Sequence, residues 1–564
     1  MSEFKLPSTR QLFGFRLIVS FPKPKPCLSN NGLEAQSLKI QMKILVNTKI
    51  TWVFLLLVAC QKPSKQTQAQ NEHPNILFII ADDAGLDMSA YGSTWVKTPA
   101  FDRIAREGLL FQKAYTPNAK CAPSRAVLLT GRNPWQLEAA MNHNIYFPTQ
   151  FKTYMEALAE NGYTTGCTGK GYAPGKALEA QGNPRPLTGK AFDAFKTTPP
   201  TTGISANDYA ANFDDFLSKR PQDKPWAFWL GFAEPHRDYE FGSGIRKGGK
   251  TLGMIPRVPA YYPDSATVRT DLLDYAFEIE YMDAQIGKVL QTLEQTGQLD
   301  NTLIVVTSDH GMPFPRVKGN QYEPANHVPL AILWKKGIQA AGRKINDFVS
   351  FADLAPTFLE VAGIEWQKSG MSPAVGRSLS SIFQSRQAGQ VEKDRDFVLV
   401  GQERHDVGRP HDAGYPVRGI YEGNYLYLRN YEPSRWPACN PETGYLNCDG
   451  GPTKTLLLNL RRNGVDTTYW QMNFGFRPSE ELYDIAKDPD CVRNLAQAPE
   501  YKAVAKRLSR RMIQELTKQD DWRMQGKGER YEQYPVVENL NFYERFMKGE
   551  KLPTGWVNES DYEK

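Results

Sequence analysis

Three stretches of the chain are apolar almost without a break, and each ends abruptly on acidic residues or histidine. Residues 75–81 run into Asp82-Asp83, 226–233 into Glu234-Pro235-His236, and 302–307 into Ser308-Asp309-His310-Gly311. Runs of this length without alternation predict strands buried on both faces of a parallel sheet. Elsewhere apolar residues recur at helical spacing, over 98–108, 124–130, 151–161 and most plainly 271–297, where Leu272, Ala276, Ile279, Met282, Ile286, Val289 and Leu293 recur every three or four residues. Residues 164–167 read as a short strand before Gly169-Lys170. Strands alternating with helices predict an α/β fold around a large, mostly parallel sheet. Open sheets of that kind build their sites at the carboxyl ends of the strands, where the three endings converge.

After about residue 395 the pattern shortens to strand-like pieces at 397–400, 418–421, 425–428 and 455–460, followed by an amphipathic helix at 503–516. The expected organisation is a catalytic domain over 71–395, a smaller α+β C-terminal subdomain over 396–520 and a polar, aromatic tail over 521–564.

The N-terminus follows another pattern. From Met42 a basic start leads into the apolar stretch 50–59, then Cys60 and the polar run 61–70. A charged n-region, an h-region too short to span a bilayer as a mature helix and a small-residue cleavage site predict a signal peptide. Leu57-Val58-Ala59-Cys60 resembles a bacterial lipobox, which implies an exported lipoprotein held to a membrane through Cys60, in the periplasm or at the outer membrane or cell surface. The alternative is a buried apolar strand or helix. Residues 1–41 match nothing and read as a spurious extension before the true start.

Charge sharpens the picture by its location. Lys and Arg total 68 against 62 Asp and Glu, but residues 1–59 hold eight of the former and two of the latter, which leaves 60 against 60. A neutral chain without a basic run excludes nucleic acid as a partner, since neutralising phosphates requires a cationic stripe. An anionic substrate must then be met by local cations. Among the seven cysteines, export permits disulfides, and Cys439 with Cys448 in a Pro/Asn/Gly-rich loop form the expected pair. The absence of any CxxC pair argues against structural zinc.

Asp82, Asp83 and Asp309, with His310 beside them, supply oxygen-rich ligands suited to calcium or magnesium; a single histidine does not make a zinc site. Helix or turn capping is the alternative for any one of these aspartates. Cys121-Ala122-Pro123-Ser124-Arg125 follows about forty residues after the Asp-Asp ending and precedes Leu128-Leu129-Thr130-Gly131-Arg132. As an isolated residue Cys121 reads as a small buried hydrophobe.

In that setting the segment resembles the CxPxR signature of the type I sulfatases. Gly169-Lys170, Pro235-His236, Asp309-His310-Gly311, Lys318 and Glu481-Leu482-Tyr483-Asp484 follow in the family's order over roughly 73–515. Pro235-His236-Arg237 and 311–315 look closest to the heparan N-sulfatase (sulfamidase) branch and its bacterial relatives. The resemblance implies an alkaline-phosphatase-like sulfatase fold, one calcium ion per chain, and Cys121 oxidised to formylglycine by a formylglycine-generating or anaerobic sulfatase-maturing enzyme. It implies Asp82, Asp83, Cys121, Asp309 and His310 as metal ligands, with Lys170, Lys318 and Arg125 neutralising the sulfuryl oxygens and His236 protonating the leaving atom. One departure stands out: many members carry His two residues after the Lys of the Gly-Lys element, whereas position 172 is Tyr, with His143 a candidate substitute. Arg237, Arg404 and His405 offer polar and cationic groups for a saccharide.

Each supporting residue has a plainer alternative: a solvated loop lysine for Lys170 and Lys318, a hydrogen-bonded core histidine for His236, an ion-pair partner for Arg125, an ordinary polar loop around 402–411. The expected activity is hydrolysis of an O-sulfate on a sulfated glycan, with N-sulfoglucosamine the nearby alternative. A phosphoesterase of the same superfamily and a non-catalytic glycan-binding lipoprotein remain further alternatives.

Overall fold

A computed structural model describes residues 73–563. The leader, Met42 and Cys60 lie outside the described residues.

The strand Asn75–Ala81 sits at the centre of an eight-stranded sheet. Trp226–Gly231 and Thr302–Ser308 flank it, both parallel to it. Beyond Trp226–Gly231 lie Thr164–Gly169 and Lys190–Ala191, and beyond Thr302–Ser308 lie Leu330–Leu333, Leu109–Phe111 and Arg343–Ile345. Only Leu330–Leu333 runs against its neighbours. The unbroken apolar runs are explained by helices on both sides. Leu77 and Ile79 point into one core with Phe228, Leu230, Ile304 and Val306. Ile76, Phe78 and Ile80 point into the other with Ala227, Trp229, Leu303 and Val305. Alternate side chains feed opposite layers, so neither face has room for polar residues. The longest helix, Ala266–Gln295, is capped by the Ser265 hydroxyl on the Val268 N–H and closes one layer.

A second sheet orders Phe397–Gln402, Val417–Glu422, Tyr425–Asn430 and Glu480–Asp484, all antiparallel. The helix Lys502–Lys518 covers one face through Leu508, Met512 and Leu516, packed on Leu399, Ile420, Tyr427 and Leu482. The tail is not loose, because Trp522 and Tyr531 join that same core.

Two expectations are corrected and one strand is added. Residues 455–460 are not a strand but part of the helix Pro452–Arg462, started by Pro452 in its first turn. The fourth strand of this sheet is Glu480–Asp484, whose acidic opening hides a buried Glu481 that accepts hydrogen bonds from Tyr322, Tyr483 and Asn430. Cys439 and Cys448 are free buried thiols. Their sulfurs turn to separate carbonyls, those of Asp406 and Asp449.

Candidate active site

A helix start sets the position of Cys121. Lys120 is extended and the helix Cys121–Thr130 begins at the next residue, three residues before the expected start and buried along its whole length. Cys121 thus stands in the first turn, where the helix dipole favours an anion. Facing it, Ala81 and Ser308 are paired at the ends of adjacent strands, which delivers Asp82-Asp83 and Asp309-His310 together. Asp83 adopts the left-handed conformation (φ 72°), tolerated by aspartate better than by most residues. Its N–H donates to Asp309 Oδ1 at 3.0 Å, and the Ser124 hydroxyl donates to the Asp309 carbonyl at 2.7 Å.

Asp83, Cys121, Asp309 and His310 each bring one ligand atom to within 4.8 Å of the others. His310 Nε2 lies 3.6 Å from Cys121 Sγ, 3.0 Å from Asp83 Oδ1 and 3.8 Å from Asp309 Oδ1. Its Nδ1 donates to the Gly311 carbonyl, so Nε2 is the nitrogen turned to the carboxylates; burial works to lower the ring, but Asp309 and Asp83 hold it well above the usual imidazole range while no cation stands among them. Asp83 Oδ1 is buried and, although close to that nitrogen, has no aligned donor. Lone pairs converging in a dry interior are costly without a cation among them. The donor set therefore fits a divalent ion. Asp82 falls outside this group: Arg125 holds its Oδ1 at 3.1 Å and Lys170 its Oδ2 at 2.5 Å.

Lys170 reaches the site because two glycines let its backbone approach the sheet. Gly169 has φ 72°, and a Cβ on Gly231 would stand 1.9 Å from the Lys170 carbonyl. Arg125 is fully buried and directs its donors to Asp309, Asp82 and the carbonyls of Lys170 and Gly171. It organises the carboxylates. Burial works to raise the Cys121 thiol, yet Lys170 and Lys318 hold it well below the usual thiol range.

Lys318 completes a second arrangement. Its ammonium lies 2.7 Å from Asp83 Oδ2, 2.7 Å from Asp449 Oδ2 and 2.9 Å from His236 Nε2. His236 Nδ1 sits 2.5 Å from the Arg237 carbonyl and so carries the hydrogen, which leaves Nε2 to accept from Lys318. Burial raises the Asp449 carboxyl, but Lys318 and His236 bring it down to about 2. Asp449 escaped the sequence reading because nothing in its spacing links it to residues more than a hundred positions upstream.

The residues expected to contact a saccharide divide. Arg237 forms a bidentate pair with Asp271, both bonds 2.8 Å, and lies over the Phe314 ring; it is a strut between loops, not a free cation. Arg404 is buried and donates to the Tyr534 carbonyl. His143 and His405 are buried, and Asp406, the partner of His143, also pairs with Lys120 at 2.6 Å. His143 Nδ1 faces Asp406 Oδ1 at 2.9 Å, and His405 Nε2 faces Asn118 Oδ1 at 2.6 Å. Each of those nitrogens must donate, and His143 Nε2 and His405 Nδ1 are buried without a partner. Burial, with Lys120 nearby, holds His405 well below the usual imidazole range. Tyr172 packs edge-on against Phe147 and its hydroxyl has no partner among the described residues; His143 is linked to the centre through Asp406 and Lys120, the residue before Cys121.

A family model described as Sulfatase matches residues 74–364, more than half of the chain. The N-sulphoglucosamine sulphohydrolase of Homo sapiens is 27% identical over 468 residues, covering 77% of this chain and 88% of that protein. An ulvan-active sulfatase of Formosa agariphila is 26% identical over 502 residues, covering 82% of this chain and 80% of that protein. Among solved structures, that of BT4656 in complex with D-glucosamine-2-N,6-O-disulfate superposes with a TM-score of 0.56 at 20% identity, over 80% of this chain and 99% of that one.

Proposed function

From the premise that this chain belongs to the sulfatase family, we propose that it removes sulfate from an O-sulfated glycan through a formylglycine made from Cys121. The observation that carries the reading is Cys121 at a helix start, facing Asp83, Asp309 and His310, with Lys170 and Lys318 lowering its proton affinity. Asp83, Asp309 and His310 would hold a divalent cation, with Asp82 alongside. Once oxygen replaces the sulfur of Cys121 the donors become harder, which favours calcium. The cation supplies charge neutralisation at the sulfuryl group, and formylglycine supplies an oxygen nucleophile that can be regenerated.

The remaining work belongs to the chain's own side chains. Lys170 and Lys318 bind the sulfate oxygens as fixed cations in a water-poor site, where charge stabilisation is strongest. Arg125 keeps Asp82 and Asp309 in place. His236 accepts from the Lys318 ammonium at Nε2, and a proton passed across that bond is the one delivered to the leaving atom. The human relative's name favours a second reading, an N-sulfated glucosamine substrate. The same reading calls for a maturing enzyme of the formylglycine-generating or anaerobic type, and the lipobox-like segment ending at Cys60 supports an exported, lipid-anchored chain.

A desulfation screen on defined O- and N-sulfated oligosaccharides tests the proposal. Release of sulfate by the wild type and none by Cys121→Ser is expected, together with a mass loss of about 18 Da on the Cys121 peptide. Turnover by a preparation whose Cys121 is an intact thiol would defeat it.

A further inference from the structure

The helix Lys502–Lys518 carries two sets of cations with opposite fates. Arg507 and Arg511 are neutralised, Arg507 by Glu422 and Arg511 by Asp396 and Glu422, and Lys518 is paired with Glu515. Lys502, Lys506 and Arg510 are exposed and have no ion-pair partner among the described residues. They stand at i, i+4 and i+8, one row along the helix, rising about 6 Å per step. Gln514 continues that row, while Ala505, Ser509 and Ile513 form the row beside it. With Glu480, Ala496 and Gln497 opposite, these residues line a groove of about 570 Å³. Glu480 is the one acid in the lining, and its carboxylate takes the Tyr427 hydroxyl.

We propose that this groove binds a strand of sulfated polysaccharide away from the catalytic centre, so that the polymer is retained while sulfates are removed. Three cations left unneutralised on a helix whose other cations are paired form a linear anion track, on a chain whose remaining charge, outside residues 1–59, balances at 60 against 60. Gln497, Ser509 and Gln514 add hydrogen-bonding groups for hydroxyls, and Ile513 and the two alanines give an apolar floor for sugar rings. The choice of a sulfated glycan over another polyanion rests on the function proposed above.

The test compares two triple variants of the full chain on immobilised heparin, used as the sulfated probe. Lys502→Gln/Lys506→Gln/Arg510→Gln removes the free row, and Arg507→Gln/Arg511→Gln/Lys518→Gln removes the same charge from the paired positions. Loss of the free row is expected to weaken binding about 10-fold at 0.15 M salt and to lower the slope of log K against log salt by about 2, on the counterion-release rule for flexible polyanions. The paired-row variant keeps both. KM on a sulfated polymer should rise several-fold for the free-row variant, with turnover of 4-nitrophenyl sulfate unchanged. Equal behaviour of the two triples, no retention of the wild type, or equally tight and row-dependent binding of a DNA strand of matched charge would each overturn the proposal. Row-dependent heparin binding by a chain that desulfates nothing would refute the proposed function and leave the groove standing.

Discussion

Two regions of this molecule bury charge equally deeply and differ in whether the charge is satisfied. In the C-terminal layer Arg418, Glu403 and Asp521 have fully buried side chains, with Arg523 alongside. Arg418 reaches Asp521 at 2.6 and 3.1 Å and Glu403 at 2.9 Å, Arg523 takes both oxygens of Glu403, and Tyr531 adds a hydroxyl to Asp521. Two cations meet two anions. Around Cys121, by contrast, Asp83 Oδ1 lacks an aligned donor although His310 Nε2 stands only 3.0 Å away. Burial of charge alone does not mark a site, because an internally neutralised cluster is a tie. The unfinished cluster is the one that needs a ligand.

The contrast predicts opposite phenotypes. Cys121→Ala should cut kcat/KM by at least about 10⁴-fold, the scale of losing a nucleophile, with the melting temperature nearly unchanged. Retained turnover would remove the centre's claim to the chemistry. Arg418→Met should do the reverse: removal of one partner from a buried pair costs about 3–5 kcal/mol, read as a lower denaturant midpoint, while kcat well below melting falls less than about 3-fold. A variant that loses both together would show that the tie and the centre are one unit.

Chelation probes the same difference by another route. Stripping divalent ions leaves the Asp83–His310 contact uncompensated, so both activity and stability should drop, the latter by about 2–3 kcal/mol if the ion was present at about 100 times its dissociation constant. The Arg418 tie should melt as before. Calcium should restore both. A chelated sample with an unchanged melting curve would mean that the cluster is complete without an ion. A milder effect is expected at Asp449→Asn, which removes a supporting carboxylate from Lys318: about 10- to 100-fold in kcat/KM, as for loss of other supporting groups, and shared by sugar and aryl sulfates because both need the same lysine.

These differences also explain what could be read from the chain. Asn75–Ala81, Trp226–Gly231 and Thr302–Ser308 announced themselves because a strand covered on both faces admits no polar residue, so their charged endings were conspicuous. The roles of Asp406 and Asp449 were not legible, since loops distant in sequence bring them to the centre and no periodicity marks a loop, and Lys120, though next to Cys121, reveals its role only through its pair with Asp406. Arg237 misled because a guanidinium between two site loops serves as a strut as readily as a ligand, and only its bond to Asp271 decides. The strand Glu480–Asp484 was hidden by acids that turn out to be hydrogen-bonded inside.

The smallest predicted effect concerns the loops themselves. Cys439 donates to the carbonyl of Asp406 and Cys448 to that of Asp449, so the two thiols lie beneath the carboxylates that hold Lys120 and Lys318. A disulfide closing so short a loop would contribute about 3 kcal/mol on the chain-entropy scale and several degrees of melting temperature in a protein of this size. With both thiols free, dithiothreitol should shift melting by less than about 1 °C, and both should react with a thiol reagent only after unfolding. A larger reductive shift would mean that these walls are joined covalently, which would make the centre's rigidity depend on oxidation instead of on packing and ion pairs alone.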